Sequence, residues 1–349
     1  MRLVQFLGQH NERRVGTPSD DGRQLEALEG SASIRELALE AIALNVSLPA
    51  LAARRLGHER FDYGALLESG RVLAPLDHPD LARLFVTGTG LTHLGSAQSR
   101  DAMHATLEQD ASPTDSLRMF KLGLEGGRPL PGQIGAQPEW FYKGDGGCVR
   151  QPGAALEWPG YAEDAGDEIE LVALYVIAPD RTPYRIGFAL GNEYADHIME
   201  QRNYLYLAHS KLRDCSFGPE LLISPLPPSV TGTARVRRGA TTVWQSEFLV
   251  GEDNMAHSLA NLEHHHFKYA QFRRPGAVHA HFLGAAVLSF SAGLRLEDGD
   301  QIEIESDAFG RALRNTVRRR PEAQSPVTVR SLDGATTDST QRDGDYANL

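Results

Sequence analysis

Residues 167–177 read Asp-Glu-Ile-Glu-Leu-Val-Ala-Leu-Tyr-Val-Ile: two glutamates one residue apart, then an unbroken apolar run rich in β-branched and aromatic side chains. That composition predicts a strand over Glu168–Ile177. Alternate side chains of a strand share a face, so Glu168 and Glu170 project side by side about 7 Å apart. Taken alone, such a pair is an ordinary solvated strand face. Two adjacent carboxylates repel, however, unless a cation joins them, and an all-oxygen pair suits magnesium, manganese or calcium better than zinc. A second strand is expected over Tyr184–Leu190. It ends at Gly191-Asn192-Glu193, where the chain turns into a helix expected over Tyr194–Leu207, so Glu193 brings a third carboxylate to a strand end. Just past that helix, Lys211 stands in AHSKLRDCSFGPEL, close to Gly218 and Pro219.

Further strands are expected over Leu221–Ser224, Thr231–Arg237, Thr241–Leu249 and Gln301–Ser306, separated by glycine- and proline-rich turns, as in a mostly β or α+β body. Residues 1–75 read as a small leading domain: a strand over Arg2–Leu7, a turn-rich stretch, and one apolar-periodic helix from Ser33 to Arg55. Ser31 or Ser33 would cap that helix, with Glu36 at capping-box spacing from Ser33. Residues 76–321 form the larger catalytic unit. The tail, 322–349, is rich in Ser, Thr, Asp, Arg and Gly and is expected to be disordered.

The 349 residues are 41% hydrophobic and 23% charged, an ordinary globular composition with enough apolar surface for a sizeable core. A formal net charge of -11, from 46 acidic against 35 basic residues, repels polyanions and offers nucleic acid no footprint. The basic run Arg318–Arg320 reads as a solvated helix or strand end. Two cysteines, Cys148 and Cys215, are too few for a disulfide scaffold and lack the spacing of a zinc or redox motif. The amino terminus turns polar after seven residues, unlike a secretory signal, and the apolar stretches at Leu171–Ala178 and Leu283–Phe290 fall far short of the roughly 20 residues that span a bilayer. A cytoplasmic location without membrane partners is therefore expected. His264-His265-His266, with His257 before it, has no carboxylate or cysteine spaced to complete a metal site; read as a strand it would split between two faces, so surface or hydrogen-bonding histidines are expected. Trp140 and Phe141 suit a pocket wall or core packing equally well.

Five segments in order, EIEL at 168–171, GFALGNE at 187–193, SKLRDCSFGPEL at 210–221, LGAAVLSF at 283–290 and LEDGDQIEIE at 296–305, together with the opening MRLVQFLGQHNERR, resemble the fumarylacetoacetate hydrolase superfamily. The resemblance implies an α+β, mostly β fold: a mixed β-roll or sandwich catalytic domain with a small amino-terminal α+β domain, assembled as a homodimer. It implies that Glu168, Glu170 and Glu193 bind Mg2+ or Mn2+, which holds a 2-oxo acid, and that Lys211 faces the same pocket as a substrate or enolate contact. Two departures stand out. The third ligand is normally aspartate, one methylene shorter than Glu193. The usual Gly-Thr contact to the substrate carboxylate is here Gly284-Ala285, so a replacement hydroxyl is needed, from Ser289 or a backbone amide. In hydrolytic members an acid and a histidine base come from the position of VTGTGLTHLGSAQSRDAMH, residues 86–104, making His93, Ser96 and His104 candidates, with His93 preferred as the catalytic partner of Lys211.

The variants GNEYADH, LYLAHSKLRDCSFGPEL and GTGLTHLGSA are similar to a sugar-acid dehydratase branch, which implies dehydration of a 2-keto-3-deoxy sugar acid of the arabinonate type through an enolate at C3. Lys211, if desolvated, would have a lowered pKa and serve as base or proton carrier. Hydrolysis of a 2,4-diketo acid of the acylpyruvate type is the alternative. Ala285 and Glu193 leave open a third possibility, a catalytically impaired protein that binds a 2-oxo acid.

Overall fold

Near the amino terminus, short alternating segments build an antiparallel meander of β1 (Arg2–Leu7), β2 (Arg13–Pro18), β3 (Gln24–Leu28) and β4 (Leu56–Asp62). Between β3 and β4, the single expected helix is two helices, α1 (Ile34–Ala43) and α2 (Leu48–Arg54), crossing at 107°. The break has a local cause: Asn45 takes a positive φ of 52°, and Ser47 caps a new helix by accepting from the Ala50 amide, with Pro49 in its first turn. Ser33 caps α1 by accepting from the Glu36 amide. A short helix, α3 (Tyr63–Glu68), follows β4.

The computed structural model describes residues 1–94, 115–320 and 325–332. Its remaining strands are β5 (Leu84–Gly90), β6 (Glu139–Asp145), β7 (Val149–Arg150), β8 (Ala155–Trp158), β9 (Ile169–Ile177), β10 (Pro183–Asn192), β11 (Cys215–Phe217), β12 (Leu221–Leu222), β13 (Val230–Arg238), β14 (Thr241–Val250), β15 (Val278–Val287), β16 (Gln301–Glu305) and β17 (Leu313–Arg319). The larger sheet runs β4-β3-β2-β1-β12-β10-β9-β15-β5-β6, with β11 joined to β10 and β7; the smaller runs β14-β13-β16-β17-β8. Most pairs are antiparallel; β15 with β5, β11 with β7 and β17 with β8 are parallel. The architecture is thus α+β and mostly β. The leading strands are continuous with the large sheet through β1 and β12.

β9 lies near the middle, every residue buried. Ile169, Leu171, Ala173, Tyr175 and Ile177 pack with the inward residues of the smaller sheet, among them Val236, Ile302 and Leu313. Val172, Leu174 and Val176 pack on the opposite side with Ile34, Leu37 and Leu51 of α1 and α2. A strand buried on both faces needs apolar residues at every position, which is why 171–177 shows no alternation. Arg318–Arg320 are exposed at the end of β17. Residues 325–332 are exposed and without regular structure; the other tail positions, 321–324 and 333–349, lie outside the described residues. No single helix among the described residues is long and apolar enough to cross a membrane.

Candidate metal centre

Glu170 lies in β9, and Glu168 sits immediately before the strand on the same face. Glu193 directly follows β10, the antiparallel partner of β9, and its amide donates to the Glu168 carbonyl at 2.9 Å. The adjacent strand ends therefore bring all three carboxylates together. One oxygen from each lies within 4.8 Å of the others, and all three side chains are buried. The segment expected as a helix from Tyr194 to Leu207 begins three residues later, where Asp196 caps a helix over His197–Arg202. Asn203, extended, breaks it before a second short turn, Leu207–Ser210, which delivers Lys211 to the carboxylates.

Lys211 is fully buried. Its Nζ donates to Glu168 Oε1 and, at 2.7 Å, to Glu193 Oε2; it lies 3.9 Å from Glu200 Oε2 and 5.1 Å from the Phe141 ring centre. Burial pulls its pKa down, as desolvation alone requires, but Glu168, Glu193 and Glu200 outweigh that and hold it well above the ordinary lysine value. The expected lowering is thus reversed: Lys211 is an ammonium that keeps its proton, suited to holding an anion. Burial likewise pushes Glu168 up, but Lys211 and His197 prevail and keep it well below the ordinary carboxylate value. Glu170 is raised well above it, by burial and then by repulsion from Glu168 and Glu193. Glu193 is raised to about 7, burial prevailing over Lys143 and Lys211.

Lys143, on β6, is the second buried cation. Its Nζ donates to Glu193 Oε1 at 2.5 Å, to the Tyr194 carbonyl at 2.7 Å and to the Lys211 carbonyl at 3.0 Å. Between them the two lysines hold both oxygens of Glu193, so its longer side chain is fixed from either end. Burial and the neighbouring carboxylates hold the pKa values of Glu170 and Glu193 up, and a cation between them would favour their ionised forms. The donor set is all oxygen. Both features fit one hard divalent cation, and this carboxylate trio is the one group of metal-ligand type found among the described residues.

Glu168, Glu170 and Lys211 line a tight cavity of about 20 Å³ with Thr89, Phe141, His197, Glu200 and Ala285, while Glu193 stands behind Lys211. A roomier groove, about 610 Å³, is lined by Phe188, Pro225, Pro228 and Met255 and contains none of the three carboxylates, so chemistry and not size marks the site. His197 Nε2 is hydrogen-bonded to Glu168 Oε1 at 3.0 Å. Burial works against its charge, but Glu168 and Asp164 raise its pKa above the ordinary histidine value.

The other expected site residues are placed as follows. The Gly284 amide donates to Glu170 Oε2 at 2.8 Å, at a bulge in the pairing of β15 with β9. Gly284 has φ +100°, and a Cβ there would meet Thr92 Oγ1 at 2.1 Å, so glycine is required. Ser289 donates to Asp167 through both its hydroxyl and, at 3.2 Å, its amide, so neither group is directed at the cavity. Thr89 lines the cavity with Ala285, and its hydroxyl donates to the Phe282 carbonyl at 3.4 Å. His93 is buried outside the cavity wall. Burial holds it down to about 4 against hydrogen bonds to the backbone of Gly284 and Leu283, so it braces the strand that carries Gly284. Ser96 and His104 lie outside the described residues. Phe141 faces the cavity, whereas Trp140 packs against Phe272 and donates to His266 Nδ1 at 3.3 Å.

His264–His266 lie on a helix, Leu259–Phe267, not a strand: Ser258 caps it, and Leu259, Leu262 and Phe267 give it a helical apolar face. His265 and His266 are buried and hydrogen-bonded, and His264 is exposed. Lys143, His197, Glu200 and Thr89 were not singled out from sequence. The one available signal was spacing, His197 falling four residues after Glu193 and Glu200 three after His197.

No family model and no curated protein sequence matches the chain. Solved structures do. A 2-keto-3-deoxy-D-arabinonate dehydratase without ligand, and the same enzyme complexed with magnesium and 2,5-dioxopentanoate, each match with TM-score 0.66 and 19% identity, over 92% of this chain and 100% of theirs. A 5-carboxymethyl-2-hydroxymuconate delta-isomerase from Mycobacterium smegmatis matches with TM-score 0.55 and 15% identity over the same shares. The chain thus shares the fold of these dehydratase and isomerase structures, in line with the fold expected from the motifs.

Proposed function

We propose, from this fold and its buried carboxylates, that the chain is a divalent-metal-dependent enzyme acting on a small 2-oxo acid, and that it dehydrates a 2-keto-3-deoxy sugar acid of the arabinonate type. The observation that carries the reading is the convergence of Glu168, Glu170 and Glu193 within 4.8 Å, with Lys211 against them. The likeness to a dehydratase structure holding magnesium and 2,5-dioxopentanoate supports it.

The three carboxylates would hold Mg2+ or Mn2+, which supplies Lewis acidity to the carboxylate and oxo group of the substrate and makes its C3 hydrogens acidic. Glu200, the cavity carboxylate outside the metal trio, is assigned to take the C3 proton and pass it to the departing C4 hydroxyl, which leaves as water; Lys211, an ammonium beside it, holds the developing negative charge. His197 orients Glu168 and Lys143 orients Glu193. His93 steadies the Gly284 turn. A homodimer is proposed as the working assembly.

The His197–Glu168 pair favours a second reading, since a histidine against a carboxylate beside a metal can activate water for hydrolysis of a 2,4-diketo acid. Incubation with magnesium and either 2-keto-3-deoxy-arabinonate or a 2,4-diketo pentonate, followed by mass, separates the readings. Loss of one water from the first, abolished in Glu200→Gln with metal binding intact, is expected. Pyruvate released from the second substrate alone selects hydrolysis, and binding of both without turnover selects a binding protein.

A further inference from the structure

Cys148 and Cys215 stand 67 positions apart in a sequence that has no other cysteine, yet the fold brings them together. β7 and β11 pair in parallel with Val149 opposite Cys215, which makes Cys148 the diagonal neighbour of Cys215. With ordinary strand spacing and rise, that places the two Cα atoms about 6 Å apart, inside the range a disulfide spans. The two thiols are near enough for each to shift the other's ionisation. Their surroundings differ. Cys215 is fully buried, whereas Cys148 is half-buried in the wall of a cleft of about 320 Å³, with Lys143, Tyr161, Leu212 and Arg213 around it. Gly144 keeps one side of the sulfur open, since a Cβ there would come within 3.0 Å of it.

We propose that Cys148 and Cys215 form a peroxide-sensitive thiol pair, with Cys148 the attacking sulfur and Cys215 the resolving one. The Cys148 thiolate attacks the peroxide oxygen, the O–O bond breaks, and the departing alkoxide or hydroxide takes a proton, leaving a sulfenic acid. The Cys215 sulfur then attacks the Cys148 sulfur, the S–O bond breaks, and hydroxide leaves as water with the Cys215 proton. Two thiols are oxidised and one peroxide is reduced, with nothing left over. The neighbouring Cys215 thiol holds the Cys148 thiol below its ordinary value, with Lys143 assisting, while burial and the nearness of Cys148 raise Cys215; this matches the division of roles. The bond would tie the turn after β6, which carries Lys143, to the segment descending from Lys211. The inference does not depend on the proposed reaction.

The test uses the full native chain and hydrogen peroxide. In the wild type the intact mass should fall by two hydrogens, both thiols should disappear from titration, and a dithiol reductant should restore them. Cys215→Ser should instead trap Cys148 as a sulfenic acid that reacts with dimedone, and Cys148→Ser should lose its remaining thiol about tenfold more slowly, or more so. A wild type that gains oxygen at Cys148 while Cys215 stays a free thiol, or that cross-links only between chains, would overturn the proposal.

Discussion

Glu193 shows how one methylene is accommodated at a crowded site. A longer side chain after β10 gains rotamer freedom that metal ligation cannot tolerate. Here Lys143 and Lys211 each hold one of its oxygens, and Lys143 also ties down the carbonyls of Tyr194 and Lys211. Removing one partner from a buried ionic network costs about 3–5 kcal/mol, because the remaining charge stays buried and uncompensated. Lys143→Met is therefore expected to lower the unfolding free energy by about that amount in urea titration and to weaken magnesium binding. An unchanged melting curve would show that Lys143 is not structural at the site.

β9 and β10 place the metal trio, and the bulge in β15 finishes it. Because Gly284 alone tolerates φ +100° against Thr92 and aims its amide at Glu170, Gly284→Ala should cost roughly 1–3 kcal/mol and loosen Glu170. Calorimetric unfolding with and without magnesium would detect both effects, and full metal affinity in that variant would separate the bulge from the site. Much at this scale was legible in the sequence. Period-2 placement put Glu168 and Glu170 on one face, and a strand end followed by a turn put Glu193 near them. What sequence missed came from partners distant along the chain. β5 pairs in parallel with β15 nearly 200 residues later, so nothing local marks either as a neighbour. Lys143 reaches the site from β6, where it reads as one more polar residue near a turn. The histidine tract reads as a strand only when taken by itself; Leu259, Leu262 and Phe267 around it carry the helical apolar face.

Across the whole molecule, the leading meander and α1–α2 complete one face of the central sheet, so residues 1–75 share a core with β9, β10 and β15. Behind the metal centre the interior is rich in neutral histidine. Burial alone holds His266 down to about 3; its ring meets Phe272 at 5.2 Å and His281 at 4.5 Å, and its Nε2 is 3.0 Å from His279 Nδ1. The folded pKa is depressed, so the contribution of His266 is complete above the unfolded value of about 6.5 and is lost as pH falls towards 3. Between pH 7.5 and 5.0 the wild type should lose about 2 kcal/mol relative to His266→Gln in parallel urea titrations. Equal losses would place His266 in contact with water.

The most direct test of the metal-dependent reading is calorimetric titration of metal-stripped protein with magnesium, at pH 6 and pH 8, with a simple 2-oxo acid such as pyruvate added afterwards. One ion per chain is expected, bound more tightly at pH 8, because Glu193, raised to about 7, and Glu170, raised well above the ordinary value, must lose protons to become ligands. Pyruvate should then bind to the loaded protein alone. Magnesium binding that survives Glu170→Ala, or pyruvate binding indifferent to the metal, would contradict the account.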